Sequence, residues 1–167
     1  MTPVDLVVTR QGARFLGRRF ACAIGRGGIV PARSKREGDG ATPAGTHRIV
    51  GMLYNPSRLS RPADWALPVG HFDGWSDDVK DPDYNLMVRR PRQYGHERLW
   101  RADPLYDLVL LTDWNWPQSV PGRGSAIFVH AWRRPRFPTE GCVAFDRTDL
   151  GWIAARIRHQ TRLIIRP

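Results

Sequence analysis

Helical periodicity occurs once in this 167-residue chain, at its C-terminal end, and that confinement is what most limits the fold. Asp146 is suited to cap a helix, and Asp149 adds negative charge to its first turn. Leu150, Ile153, Ala154 and Ile157 then recur at helical spacing and make one apolar stripe. Arg156, Arg158 and His159 suit the negative end of such a helix. The other patterned segments read as strands. Val4–Val8 is a short apolar run, Phe20-Ala21-Cys22-Ala23-Ile24 alternates large and small side chains, and His47–Tyr54 alternates again. Asp107–Leu111, Ala126–His130, Val143–Phe145 and Arg162–Ile165 are further strand candidates. Gly25-Arg26-Gly27-Gly28 interrupts the pattern, Arg33–Gly40 is a charged loop, and Thr42-Pro43-Ala44-Gly45 reads as a turn. Asn55–Gln118 is rich in Pro, Asp, Trp and Arg and has little periodicity, a kind of stretch that often holds a binding surface. The expectation is a mainly β fold with one C-terminal helix, without internal repeats or a domain boundary.

An apolar fraction of 41% supports a packed core rather than disorder. The net charge of +10 favours polyanions: nucleic acid, an anionic membrane surface or acidic cell-wall polymers. The two cysteines, Cys22 and Cys142, do not make a disulfide scaffold, and Cys22, inside an alternating strand, reads as structural. No apolar run is long enough to cross a bilayer, and Met1–Asp5 carries no basic segment leading into an apolar one. The five histidines are scattered, with neither a CxxC nor an HExxH pattern, so no metal is expected. The glycines at 25–28 are not followed by Gly-Lys-Ser/Thr, so they make no phosphate loop, and no cofactor is expected.

The chemistry concentrates near the end of the chain. An apolar strand ends in His130, an arginine-rich loop follows, and Thr139-Glu140-Gly141 leads into Cys142. A cysteine becomes a nucleophile when a neighbouring base takes its proton, and His130 is the base at hand. Gly141 lets backbone come close to a reacting carbonyl, so the amides of Gly141, Cys142 and Val143 are candidate oxyanion donors. The alternative at this level is that Cys142 is a small buried hydrophobe.

The segments Gly122–His130 and Pro138–Ala144 together resemble the catalytic stretch of the YkuD-type L,D-transpeptidases. Asp39–Gly45 is similar to that family's turn before an early strand, and Asp73-Gly74-Trp75, Asp77-Asp78 and Asp81–Asn85 resemble a single-domain subgroup. The resemblance implies a single YkuD-like β-sandwich-type catalytic domain over residues 1–167, with the helix packed at its end. It implies a cysteine acyltransferase acting on peptidoglycan stem peptides, donor and acceptor, in the periplasm or cell envelope. Cys142 would be the nucleophile and His130 the general base and then acid, with a backbone carbonyl orienting the histidine. Carbapenem-type β-lactams would acylate the cysteine, and the protein would act as a monomer.

Arg123, Ser125, Trp132, Arg133 and Tyr84 are candidate substrate contacts on the same resemblance. Each has a plainer reading: a turn at Gly-Arg-Gly-Ser, a solvated face for Arg133, Arg134 and Arg136, and core packing for the aromatics. Glu140 stands where the family commonly has histidine, and Ala144 where it often has arginine; Glu140 reads as a loop-surface residue. Hydrolysis of the same acyl-enzyme, as in an L,D-carboxypeptidase or endopeptidase, is the alternative activity. A basic nucleic-acid-binding module is a remote one, because no nucleic-acid motif is present and the arginines are spread along the chain.

Overall fold

The structure is a computed structural model describing residues 1–167. In chain order its strands are β1 (Leu6–Thr9), β2 (Gly12–Phe15), β3 (Arg18–Phe20), β4 (Cys22–Ala23), β5 (Ile29–Val30), β6 (Thr42–Pro43), β7 (Gly45–Tyr54) and β8 (Leu67–Pro68). There follow β9 (Asp73–Ser76), β10 (Met87–Arg89), β11 (His96–Arg98), β12 (Leu108–Thr112), β13 (Phe128–Ala131), β14 (Val143–Phe145), the helix α1 (Arg147–Ala154) and β15 (Arg162–Ile165). The fold is mainly β with one α-helix near the C-terminus.

Ten strands share one sheet, in the order β3-β2-β1-β15-β7-β12-β13-β14-β4, with β8 added on β7. The two ends of that order, β3 and β4, are separated in the chain only by Ala21, so the sheet must curl back on itself. Its enclosed face holds the main core, which includes Leu6, Ile49, Leu110, Val129, Val143, Phe145 and Leu163. The helix closes this core. Asp146 accepts the Thr148 amide (2.9 Å) as the N-cap, and Leu150, Ile153 and Ala154 are buried as the stripe requires. Ile157 lies past the last helical turn but is still buried, while Asp149 faces Arg18 at 3.2 Å.

Asn55–Gln118, where the sequence shows little periodicity apart from the Asp107–Leu111 strand, also contains a three-stranded sheet, β10-β9-β11. Its strands are three or four residues long, too short for an alternation to register in the sequence. Its polar residues are spent on internal order: Asp81 takes Arg92 and Ser76, and Asn85 accepts the Trp75 indole N–H at 2.9 Å. This insertion packs a second, smaller core of Leu53, Val69, Trp75, Leu99, Tyr106, Val109, Ala126, Phe128 and Cys142 against the other face of the main sheet. No helix is long and apolar enough to cross a membrane.

Candidate active site

Strand alternation decides where the reactive side chains go. On β13, Val129 and Ala131 point into the main core, whereas Phe128 joins the second core and His130 lies edge-on to Tyr106, with ring centroids 5.1 Å apart. At the start of β14, Val143 enters the main core, and Cys142 just ahead of it joins the second. The β13–β14 pairing is parallel, with Val129 opposite Val143 and His130 opposite Ala144. His130 and Cys142 therefore lie diagonally across neighbouring strands, on the sheet face that the insertion covers. Both line one cleft of about 440 Å³, together with Glu97, Arg101, Tyr106, Trp132 and Arg133.

The cysteine is held by backbone. Its Sγ donates to the Ala126 carbonyl at 3.0 Å and accepts the Phe128 amide at 3.3 Å. Ala126 has φ +50°, which turns its carbonyl toward the sulfur, and its own amide is donated to Asn85 Oδ1 at 2.9 Å. Asn85 in turn donates Nδ2 to the carbonyls of Trp114 and Asn115. This buried amide fixes the loop that fixes the thiol. Asn85→Ala strands several buried partners, so it is expected to cost about 3 kcal/mol or more in urea unfolding and to speed alkylation of Cys142. A variant as stable as the parent would contradict that role.

His130 Nδ1 lies 2.8 Å from the Ala131 carbonyl. A carbonyl only accepts, so Nδ1 carries the proton and Nε2 is left with its lone pair, the form a general base needs. Burial drives the imidazole down to about 4, opposed by the Ala131 carbonyl and reinforced by Arg101. Burial likewise pushes the Cys142 thiol up to about 12, with a further push from Glu97. At neutral pH both groups are uncharged. The site rests as thiol and imidazole rather than as an ion pair.

The expected oxyanion donors separate. The Gly141 amide is already donated to Thr139 Oγ1 at 3.1 Å. The Trp132 amide on the Phe145 carbonyl (2.8 Å) fixes the phase of the β13–β14 ladder, and in that phase the Val143 amide belongs to the Phe128 carbonyl. Only the Cys142 amide is left to meet a substrate oxygen. Gly141, at φ +139°, serves a different close approach: a Cβ there would lie 2.9 Å from the Ala41 carbonyl. The Thr42 hydroxyl ties the same turn by donating to the Gly141 carbonyl at 2.8 Å.

Of the substrate candidates, Trp132 and Arg133 line the cleft, Trp132 half-buried and Arg133 exposed. Tyr84, Ser125 and Arg123 do not line it. Tyr84 is buried and donates its hydroxyl to Glu37, and Ser125 donates to the same Glu37 oxygen at 2.7 Å. Arg123 lies over the Trp114 ring at 5.6 Å. Glu140 is exposed and paired with Arg26 at 2.7 Å, a loop-surface position. Cys22 is buried on β4, burial pushes its thiol up to about 11, and both cysteines are free.

The model of the YkuD family, described as the L,D-transpeptidase catalytic domain, matches residues 5–165. The chain belongs to that family. An L,D-transpeptidase from Mycobacterium smegmatis is similar in structure with a TM-score of 0.44 and 13% identity, covering 97% of this chain and 58% of its own. The chain thus spans less than two thirds of the length of that L,D-transpeptidase. No curated protein sequence matches the chain. For a member of an enzyme family of this kind, the cleft with Cys142 and His130 is the candidate L,D-transpeptidase site. Glu97, Arg101 and Tyr106 of the same cleft were missed from the sequence, because they come from the aperiodic insertion and meet Cys142 only through the fold.

Proposed function

We propose that the whole chain works as one monomeric catalytic domain that forms an acyl-enzyme on Cys142 from a peptidoglycan stem peptide and transfers it to an amine acceptor. The observation that supports this most is the placement of Cys142 and His130 on neighbouring strands in one cleft, with Nε2 of His130 left as a base. On substrate binding the Cys142 thiol gives up the Ala126 carbonyl and passes its proton to His130 Nε2 as sulfur attacks the peptide carbonyl. The Cys142 amide meets the developing oxyanion. His130 then returns the proton to the departing amine, the C–N bond breaks and a thioester remains. The acceptor amine completes the cycle by the reverse proton path. The Phe128 amide on Sγ offsets part of the cost of negative charge on the buried sulfur.

Trp132 supplies an apolar wall and Arg133 a cation at the rim, suited to a carboxylate of the stem peptide. The net charge of +10 suits an anionic wall polymer and is in keeping with work in the periplasm or cell envelope. The test is to incubate purified protein with defined muropeptides and separate the products. New cross-linked dimers or amine-exchanged stems are expected. Shortened stems alone, whatever amine is supplied, would give the site to hydrolysis, and unchanged muropeptides would overturn the reading.

A further inference from the structure

Glu97 is the residue of the cleft that this reaction scheme leaves unused. It sits on β11 and is half-buried, and its Oε2 accepts the Tyr106 hydroxyl. Its Oε1 has no hydrogen-bond partner in the chain and is not among the buried unpaired atoms, so it is open to the surface, where Glu97 lines both this cleft and the adjoining hollow of His96, Trp100 and Asp103. The other charges that line the cleft are accounted for. Arg101 is held in a two-pronged pair by Asp103 at 2.8 and 2.6 Å, Glu140 is paired outward with Arg26, and Arg133 stands at the exposed rim. One carboxylate of the nucleophile's cleft therefore has no salt-bridge partner, with Arg101 close enough to be felt but committed to Asp103, in a protein whose overall charge is positive. Burial pushes the Glu97 carboxyl up, with Asp77 and Glu37 adding to that and the Tyr106 hydroxyl and Arg101 opposing it, and the net upward shift makes it a better proton acceptor than an exposed glutamate. The same group raises the Cys142 thiol, so its field reaches the sulfur.

Resting on the acyl-transfer reading above, we infer that Glu97, oriented by Tyr106, receives the acceptor as an ammonium ion and takes its first proton. The carboxylate attracts the cationic amine into the cleft and becomes a carboxylic acid as the amine becomes neutral. The amine nitrogen attacks the thioester carbon, a C–N bond forms and the C–S bond breaks. The second proton of that nitrogen passes through His130 Nε2 to the departing sulfur, restoring the thiol. Glu97 returns its proton to water. A carboxylate in this position favours a charged amine over water as the acyl acceptor, so it selects transfer over hydrolysis.

The test compares Glu97→Gln with the parent, using a stem peptide that carries a primary ammonium as one acceptor and hydroxylamine, uncharged at neutral pH, as the other. Acyl-enzyme on Cys142 is followed by intact mass in both proteins. The inference expects transfer to the ammonium acceptor to fall at least ten-fold, with a raised KM for that acceptor, while transfer to hydroxylamine changes less than three-fold. Tyr106→Phe should give a smaller loss with the same selectivity. Equal losses for both acceptors, or none, overturn the role of Glu97 while an acyl-enzyme in both proteins leaves the acyl-transfer reading standing. Absence of any acyl-enzyme in the parent overturns both.

Discussion

Cys142→Ala is expected to abolish product formation from muropeptides, lowering turnover by ~10³-fold or more, because no other side chain of the cleft can form the thioester. The variant should still fold. The sulfur is packed in the second core, and deleting one buried heavy atom there costs about 1 kcal/mol. Circular dichroism and urea unfolding separate the two effects. Cys22→Ala is the matched control, since Cys22 is also buried and free but belongs to the main core. It should lose stability by a similar amount and keep its activity. Full turnover by Cys142→Ala, or loss of turnover by Cys22→Ala in a folded protein, would contradict the assignment.

The second large effect concerns His130 and pH. His130→Gln is expected to reduce turnover ~10²–10⁴-fold, the range for a lost general base. In the parent the imidazole is depressed to about 4, so it is neutral and able to accept a proton well below the usual histidine range. As pH falls through about 4 the base is protonated and kcat/KM falls with it, provided the fold persists. The thiol, raised to about 12, gives no alkaline rise below that pH. A flat profile from about pH 5.5 to 9 follows, together with slow alkylation of Cys142 by iodoacetamide over the same range. The linked stability has the same sign. The unfolded imidazole binds a proton below 6.5 and the folded one does not, so stability is full above 6.5 and is lost by roughly 3 kcal/mol as pH drops to about 4. An activity limb centred near 6.5 would show an unshifted imidazole, and rapid alkylation at neutral pH a resting ion pair; either result would contradict the account.

What could be read from the sequence depended on how local the determining interactions are. The helix and β15 were legible because a cap, a stripe and a short apolar run are contained within a few residues. Cys142 and His130 stood out as candidates because each lies in or beside a patterned apolar strand, and the parallel pairing of those strands brings both to one cleft. Tyr84 and Ser125 resembled site residues by their place near motifs, but Glu37, far away in the chain, takes both hydroxyls and holds them off the cleft. Glu97 and Tyr106 gave no signal, since a three-residue strand and one 3₁₀ turn have no period to detect. Gly141 was legible as a place of close approach, yet the sequence does not say to what; the partner is the Ala41 carbonyl. The curl of the sheet was equally hidden, because it follows from β3 and β4 lying at opposite ends of a strand order set by long-range pairing.

The central claim is a covalent acyl group on one sulfur, and intact-mass spectrometry with peptide mapping reads it directly. Purified protein is quenched in acid after incubation with a stem peptide or a carbapenem, then digested. The expected result is one adduct per chain, located on the peptide containing Cys142 and absent from Cys142→Ala. An unmodified protein under both treatments, or an adduct on Cys22, would contradict it.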